Sequence, residues 1–291
     1  MSNNAILVIV GPTASGKSAL AVRLARKFGG EIISADSRQV YKGLDIGTGK
    51  ITRKEMQGIP HHLLDVVDPR KQFSVSAFVS KANEAINLIE AKGALPIIVG
   101  GTGFYIDALA GKISLPKVEP NQSLRQRLDK LSKEKLHAML KKKDAARAAS
   151  IDPHNKLRLI RALEIVEALG KVPSGKNVEH PMLDKKFVYI GLKPHDLEQR
   201  IYKRLIKRIP GIIRETKKLS RKRAHELGLE YRYTSLYLQD KLNKFDMLNK
   251  LNTEIRRYAK RQMTWFKRNK KIKWFRPEDE QKILRHLDSQ L

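Results

Sequence analysis

Near the N-terminus, Gly11-Pro12-Thr13-Ala14-Ser15-Gly16-Lys17-Ser18 completes the pattern G-x-x-x-x-G-K-[ST], with an apolar run before it and a helical pattern after it. These residue types at this spacing suit the holding of a phosphate chain. The glycines let backbone N–H groups turn inward around an anion. The helix N-terminus adds roughly half a positive charge, and the Lys17 ammonium adds a whole one. Ser18 offers a hydroxyl to Mg²⁺. The plain alternative is a tight turn leading into a helix, and the correct flanks and spacing disfavour it. Residues 11–18 are expected to bind a diphosphate or triphosphate.

A nucleotide hydrolase built on such a loop also uses an acid that closes a later strand, holds Mg²⁺ and organises hydrolysis. The natural candidate strand runs into "LPIIVGGTGFY" and ends in Gly100-Gly101-Thr102 without a carboxylate. This mouth suits close approach of a ligand and a hydroxyl contact. The missing acid weakens a hydrolase reading, although some small-molecule kinases also dispense with it.

A second chemical position lies in "EIISADSRQVYKGLDIGTGK", where Asp36 follows another apolar strand. Ligands in parallel sheets bind at the carboxyl ends of the strands, so Asp36 should face the phosphate loop. A carboxylate there can take a proton from an incoming nucleophile; the plain alternative is a capping or loop aspartate. Ser37, Arg38, Gln39 and Tyr41 add polar and aromatic groups suited to a nucleobase edge. Asp45 and Lys50 share the following loop, with Asp45 read as a turn residue. His61 and His62 invite a metal reading, but adjacent histidines point apart and lack partner ligands at useful spacing, so a loop contact is expected.

The chain of 291 residues carries 59 Lys and Arg against 30 Asp and Glu, a net charge of +29. That balance calls for a polyanionic partner, nucleic acid first and an anionic membrane surface second. The segment 256–276, "RRYAKRQMTWFKRNKKIKWFR", holds ten basic residues and no acid. Solvated helix faces seldom exclude acids so completely, which favours RNA phosphates as their target. Its aromatics, Tyr258, Trp265, Phe266, Trp274 and Phe275, are expected mainly in the core rather than as stacking platforms, since Tyr258, Gln262 and Trp265 continue an apolar stripe. "KKLSRKR" (217–223) and "LKKKD" (140–144) extend the same positive field. No apolar run approaches the roughly 20 residues of a membrane span, and cysteine is absent. With no basic leader before the first strand, a cytoplasmic protein is expected.

The elements that position these residues are α/β in type. Residues 1–112 alternate short apolar runs with helical patterns: strands at Ile6–Val10, Glu31–Ser34 and Pro96–Val99, and helices at Lys17–Phe28 and Ser76–Ala91, stopped by glycines. After prolines 116 and 120 the pattern reads as helices only, to about Lys185. Leu124, Leu128 and Leu131 form one stripe. Asp152 and Pro153 suggest the start of a helix that Gly170 ends. Strand composition returns at 187–192, and a final long helix is suggested by Leu248, Leu251, Ile255, Tyr258, Gln262 and Trp265. The expected fold is a P-loop NTPase-like parallel sheet flanked by helices. Residues 1–112 and 186–291 would form its catalytic core, and 113–185 an all-helical insertion.

"GPTASGKS", "ISADSRQVYKGLDIGTGK", "PHHLLDVVDP", "IIVGGTGFY", "RLIRALE" and "RRYAKRQMTWF" resemble, in order, the motifs of the tRNA dimethylallyltransferase (tRNA isopentenyltransferase) family, across nearly the whole chain. The resemblance implies transfer of the five-carbon unit of dimethylallyl diphosphate to N6 of the adenosine beside the anticodon, with release of diphosphate. The loop 11–18 would then cradle a prenyl diphosphate rather than ATP. Lys17 and Ser18 would act on the leaving diphosphate with Mg²⁺, and Asp36 would be the base. By the same resemblance Asp36, Ser37, Arg38 and Gln39 receive the target base, while Thr102 and Arg125 contact the tRNA. The helical insertion would help clasp the RNA, and the protein would act as a monomer, off the membrane. Many members carry a Gly-Tyr-rich stretch where this chain has "RAHELGLEYRYTSLY", and "KRIPGIIRETKKL" places Pro210 within an expected helix. Two rivals remain at this stage: a small-molecule kinase using the loop on ATP, and a non-catalytic RNA-binding protein.

Overall fold

A computed structural model describes residues 4–173 and 184–291. The chain divides into two compact units, Met1–Ala110 with Pro181–Leu291, and Gly111–His180. The end of the expected helical stretch, 174–183, lies outside the described residues.

In the first unit six parallel strands form one sheet: β1 (Ala5–Val10), β2 (Gly30–Ser34), β3 (His61–His62), β4 (Leu95–Gly100), β5 (Lys186–Leu192) and β6 (Lys273–Phe275), in the order β3-β2-β4-β1-β5-β6. Every residue of β1 is buried, the continuous apolar run of a strand covered on both faces. Alternation splits it. Ile6, Val8 and Val10 pack with Ile33 and Ile98 against Phe78, Ile86 and Ile89 of helix Val75–Ala91. Leu7 and Ile9 pack with Ile97 and Ile190 against Leu20 and Leu24 of helix Lys17–Phe28 and against Ile283 and Leu287 of helix Glu280–Asp288. The parallel α/β sheet expected from sequence is therefore present, and it sets the strand ends that carry the chemistry.

Several elements depart from expectation. His61 and His62 form edge strand β3 rather than a loop; His62 Nε2 lies 2.6 Å from the buried Glu31 carboxylate, and His61 Nδ1 lies 2.8 Å from the Ile59 carbonyl. The long helix Lys244–Phe266 buries Met247, Leu251, Ile255, Ala259, Gln262 and Phe266, a stripe that shares Leu251, Ile255 and Gln262 with the expected one but leaves Leu248, Tyr258 and Trp265 half-buried. Nor is this helix final, because β6 and helix Glu280–Asp288 follow. Pro210 sits inside helix Leu197–Thr216 on its exposed side, where water can take the carbonyl it frees.

The second unit is helical in its described residues. Leu124 and Leu128 of helix Gln122–Asp129, Leu136 and Leu140 of helix Lys133–Lys143, and Leu159 and Leu163 of helix Lys156–Leu169 share one core. Ser132 breaks the first two helices apart by capping the second, accepting from the Lys135 amide at 3.3 Å. The helix expected at Asp152 starts at Lys156: Asn155 is its N-cap, and Asp152 instead closes the preceding turn by accepting from the His154 amide.

Candidate active site

The loop between β1 and helix Lys17–Phe28 needs its glycines. Gly11 takes φ +147°, and a Cβ there would lie 2.6 Å from the Leu192 carbonyl at the end of β5. Gly16 takes φ +89°, and Ala14 is left-handed at φ +62°. Gln262, from the long helix, fastens the loop from outside. Its Oε1 accepts from the Thr13 amide at 2.8 Å, and its Nε2 donates to the Gly101 carbonyl at 2.9 Å. One buried amide thus joins the phosphate loop to the end of β4.

Lys17 donates to the Pro12 carbonyl at 2.7 Å. Burial, then the nearby Arg204 charge, lowers its pKa to about 7 against the opposing pull of Asp36. At neutral pH its ammonium is held in an environment that favours losing a proton, and an anion arriving in the loop would reverse that preference.

Asp36 stands just past β2, as strand-end logic required. Its Oδ1 accepts from the amides of Arg38 at 2.8 Å and Gln39 at 3.3 Å, and among the described residues no donor engages Oδ2. Thr102 Oγ1 accepts from the Ser37 amide at 3.0 Å, so this hydroxyl secures the turn that presents Asp36. The glycines of the mouth admit protein rather than only ligand. A Cβ on Gly100 would lie 2.1 Å from the Ala35 carbonyl, and one on Gly101 would lie 2.2 Å from Gln262 Nε2.

A cavity of about 380 Å³ joins the two positions. Its lining, drawn entirely from the first unit, includes Thr13, Ala14, Lys17 and Ser18 of the phosphate loop together with Asp36, Ser37, Arg38 and Gln39. Gly11, Pro12, Ser15 and Gly16 shape the loop without lining the cavity, and Thr102 stands behind Asp36. Arg125 belongs to the second unit, where Glu164 takes its guanidinium through two hydrogen bonds at 2.8 and 2.7 Å.

Sequence reasoning missed Arg204, Arg208, Glu230 and Arg232, which complete the cavity lining together with Tyr258 and Arg261 of segment 256–276. Burial, then Arg208, pulls the Arg204 pKa below its ordinary value. Burial pushes Glu230 up against the attraction of Arg208 and Arg204. Tyr258 lines this cavity instead of the core. Phe266 is buried as expected, and Trp265 and Trp274 pack against the same core. Trp265 also donates to Asp107 at 2.8 Å and lies under the Arg268 guanidinium, 3.9 Å from the ring centre. One signal for this lining was present: Gln262 on an otherwise apolar stripe marks a polar task at that point of the helix.

A parallel sheet whose first strand turns through a glycine loop into a Lys-Ser helix start, with an acid at the next strand end, defines a P-loop-type α/β protein with a cavity at the carboxyl edge of its sheet. The IPP transferase family model matches residues 39–269. The chain is 39% identical over 288 residues to a tRNA dimethylallyltransferase of Pelotomaculum thermopropionicum, covering 94% of this chain and 91% of the relative. It is 40% identical over 291 residues to one of a Thermoanaerobacter species, with 94% and 92% covered. Among solved structures, the full-length tRNA isopentenylpyrophosphate transferase of Bacillus halodurans superposes with a TM-score of 0.71 at 36% identity, over 98% of this chain and 95% of that one. A eukaryotic dimethylallyltransferase acting on tRNA superposes with a TM-score of 0.77 at 30% identity, over 90% and 69%. The chain belongs to the IPP transferase family.

Proposed function

We propose that this enzyme transfers the dimethylallyl group of dimethylallyl diphosphate to N6 of the adenosine 3′-adjacent to the anticodon in tRNA, releasing diphosphate. The observation that carries this reading is the single cavity lined both by Lys17 and Ser18 and by Asp36. The exocyclic amine of adenine is a weak nucleophile because its lone pair is delocalised into the ring. As N6 bonds to the allylic carbon, the C–O bond to the diphosphate breaks with its electron pair, and the N6 proton passes to Asp36. Oδ1 is fixed by two amides, which leaves Oδ2 for that proton. Lys17, the loop amides and the facing Arg204 stabilise the charge gathering on the diphosphate, preorganised electrostatics of the kind worth ~2.7–4 kcal/mol per key donor in other enzymes.

The donor set fits magnesium carried in by the substrate. Among the described residues no group of three or more His, Asp or Glu could hold a metal alone, while Ser18 opens onto the cavity as a hard oxygen ligand. Magnesium, when bound to Ser18 and the diphosphate, supplies further charge neutralisation to the leaving group.

The target base must leave its stack to reach Asp36, at a cost of a few kcal/mol that is smallest for a loop nucleotide. Backbone contacts from segment 256–276 offset that cost, and Ser37, Arg38 and Gln39 stand where the base arrives. The second unit, through Arg125 and its lysines, clasps the tRNA. We place the enzyme in the cytoplasm as a monomer; among the described residues no helix is long and apolar enough to cross a membrane. Mass spectrometry of nucleosides from tRNA treated with the protein and dimethylallyl diphosphate tests the reading. N6-isopentenyladenosine is expected, whereas phosphoryl transfer from labelled ATP without prenylated RNA would replace this reading with a kinase.

A further inference from the structure

The loop Asp45–Gly49 borders the cavity without a strand or helix of its own, yet its peptide groups are engaged from both sides by one helix. Glu215, a buried carboxylate near the end of helix Leu197–Thr216, accepts through Oε1 from the amides of Asp45 at 2.9 Å and Ile46 at 2.6 Å. Through Oε2 it accepts from the Gly47 amide at 2.8 Å and from the Tyr231 hydroxyl at 2.9 Å. The carbonyls of the loop meet the same helix nearer its start. Arg208 donates to the oxygens of Ile46 and Gly47, both at 2.6 Å, and Arg204 donates to that of Gly49 at 3.0 Å. The Gly49 oxygen also accepts from Gln39, whose amide binds Asp36.

There is no slack in this arrangement. A Cβ on Gly47 would lie 2.4 Å from the Tyr231 ring, one on Gly49 2.1 Å from the Arg204 guanidinium, and one on Gly211 2.4 Å from Ile46. A glutamine at 215 would keep one oxygen for the Asp45 and Ile46 amides but would turn its NH2 toward the Gly47 amide, donor against donor, so the Gly47 end of the loop would have to move.

We propose that Glu215 is a positioning residue for the diphosphate half of the reaction: by fixing the amides of Asp45, Ile46 and Gly47 it sets the carbonyls that aim Arg204 and Arg208 into the cavity lined by Lys17. This rests on the prenyl transfer proposed above. Glu215 does not line the cavity, and its influence travels through the loop.

The test compares wild type, E215Q and Y231F in steady-state prenylation of tRNA, with thermal unfolding as the check on folding. E215Q should raise the KM for dimethylallyl diphosphate roughly tenfold, with a smaller fall in kcat and a tRNA KM within about twofold of wild type. Y231F removes one donor of the four and should raise the same KM about threefold. An unchanged donor KM in folded E215Q overturns the proposal, as does a fall in kcat alone that follows the folded fraction. Should E215Q fail to fold, Y231F decides by the same reading, and an unchanged KM overturns it. If wild type prenylates nothing, the transfer reading fails, and binding of inorganic pyrophosphate still separates the two: weaker binding by E215Q of about tenfold supports the positioning role, and equal binding removes it.

Discussion

Glu164 and Asp36 are carboxylates in different units, and they are surrounded to opposite ends. Glu164 is closed on all sides: Arg125 grips it with two bonds, Arg161 pairs with it, and the Asn121 amide donates at 2.7 Å. Burial opposes its ionisation, yet these donors hold its pKa down to about 2. Asp36 is half satisfied. Two local amides fix Oδ1, and beyond Oδ2 lies an open cavity with Lys17, Arg204 and Arg208 on its walls. A saturated acid is a fastener; a half-satisfied acid whose cavity also holds Lys17, Arg204 and Arg208 is equipped to receive a proton and to face an anion. The difference is one of unused bonding capacity, and it separates structure from chemistry more sharply than burial does.

The largest test of this contrast is Asp36→Asn. The amide keeps an oxygen for the Arg38 and Gln39 amides, so the turn stands, but the proton acceptor is gone. Turnover should fall about 10²- to 10⁴-fold with donor and tRNA affinity largely kept, as read from single-turnover nucleoside analysis beside binding measurements. Retained turnover would make Asp36 a fastener like Glu164.

Next in size is Lys17→Ala, which should raise the KM for dimethylallyl diphosphate roughly 10- to 100-fold and lower kcat as well. Its companion is a pH effect in the unaltered protein. The groups acting on the Lys17 ammonium are Arg204, which adds to burial in lowering its pKa, and Asp36, which raises it. Below about pH 7 the free enzyme carries the charge that the diphosphate needs, and above it the charge is lost. Donor KM should therefore climb as pH rises past that point, by up to about tenfold per unit, and Lys17→Ala should flatten the climb. A flat profile in the unaltered enzyme would show that Lys17 keeps its charge without the ligand.

How far the sequence exposed these positions depends on how local their causes are. Gly11–Ser18 is one contiguous stretch whose spacing states its task, and Asp36 follows from a single rule about strand ends. The buried strands β1, β2, β4 and β5 announced themselves as apolar runs. Strands β3 and β6 have two and three residues, too few for any periodicity, and exist only because neighbours offer an edge. Arg204, Arg208 and Tyr258 were misplaced for a related reason. On paper the two arginines are polar positions on an amphipathic helix, where solvent is the default neighbour, and Tyr258 continues an apolar stripe, where the core is the default. They become a wall only because helices Leu197–Thr216 and Lys244–Phe266 pack together through Leu205, Ile209, Met247 and Leu251 beside the phosphate loop. Glu215 shows the same limit: nothing in "IIRETKKL" tells that its acid will collect amides from a loop far earlier in the chain.

The smallest effect on catalysis should come from Glu164→Gln, and here the contrast is most exposed to failure. The glutamine keeps the volume but loses the charge that holds Arg125 and Arg161. Both arginines are about one-third exposed, with side chains at 30% and 36%, so water takes up part of the loss. The helical unit should lose about 2 kcal/mol of stability, measured by hydrogen exchange of helix Lys156–Leu169. The pH dependence follows from a carboxyl whose folded pKa lies below its unfolded one. Its contribution is complete above the ordinary value of 4.5 and drains away as pH falls toward about 2, so wild type and Glu164→Gln should converge in stability in acid. At neutral pH and saturating tRNA, kcat and donor KM should match wild type. A variant that stayed stable but lost donor affinity would mean that Glu164 acts on the chemistry after all, and that saturation of a carboxylate does not mark it as structural.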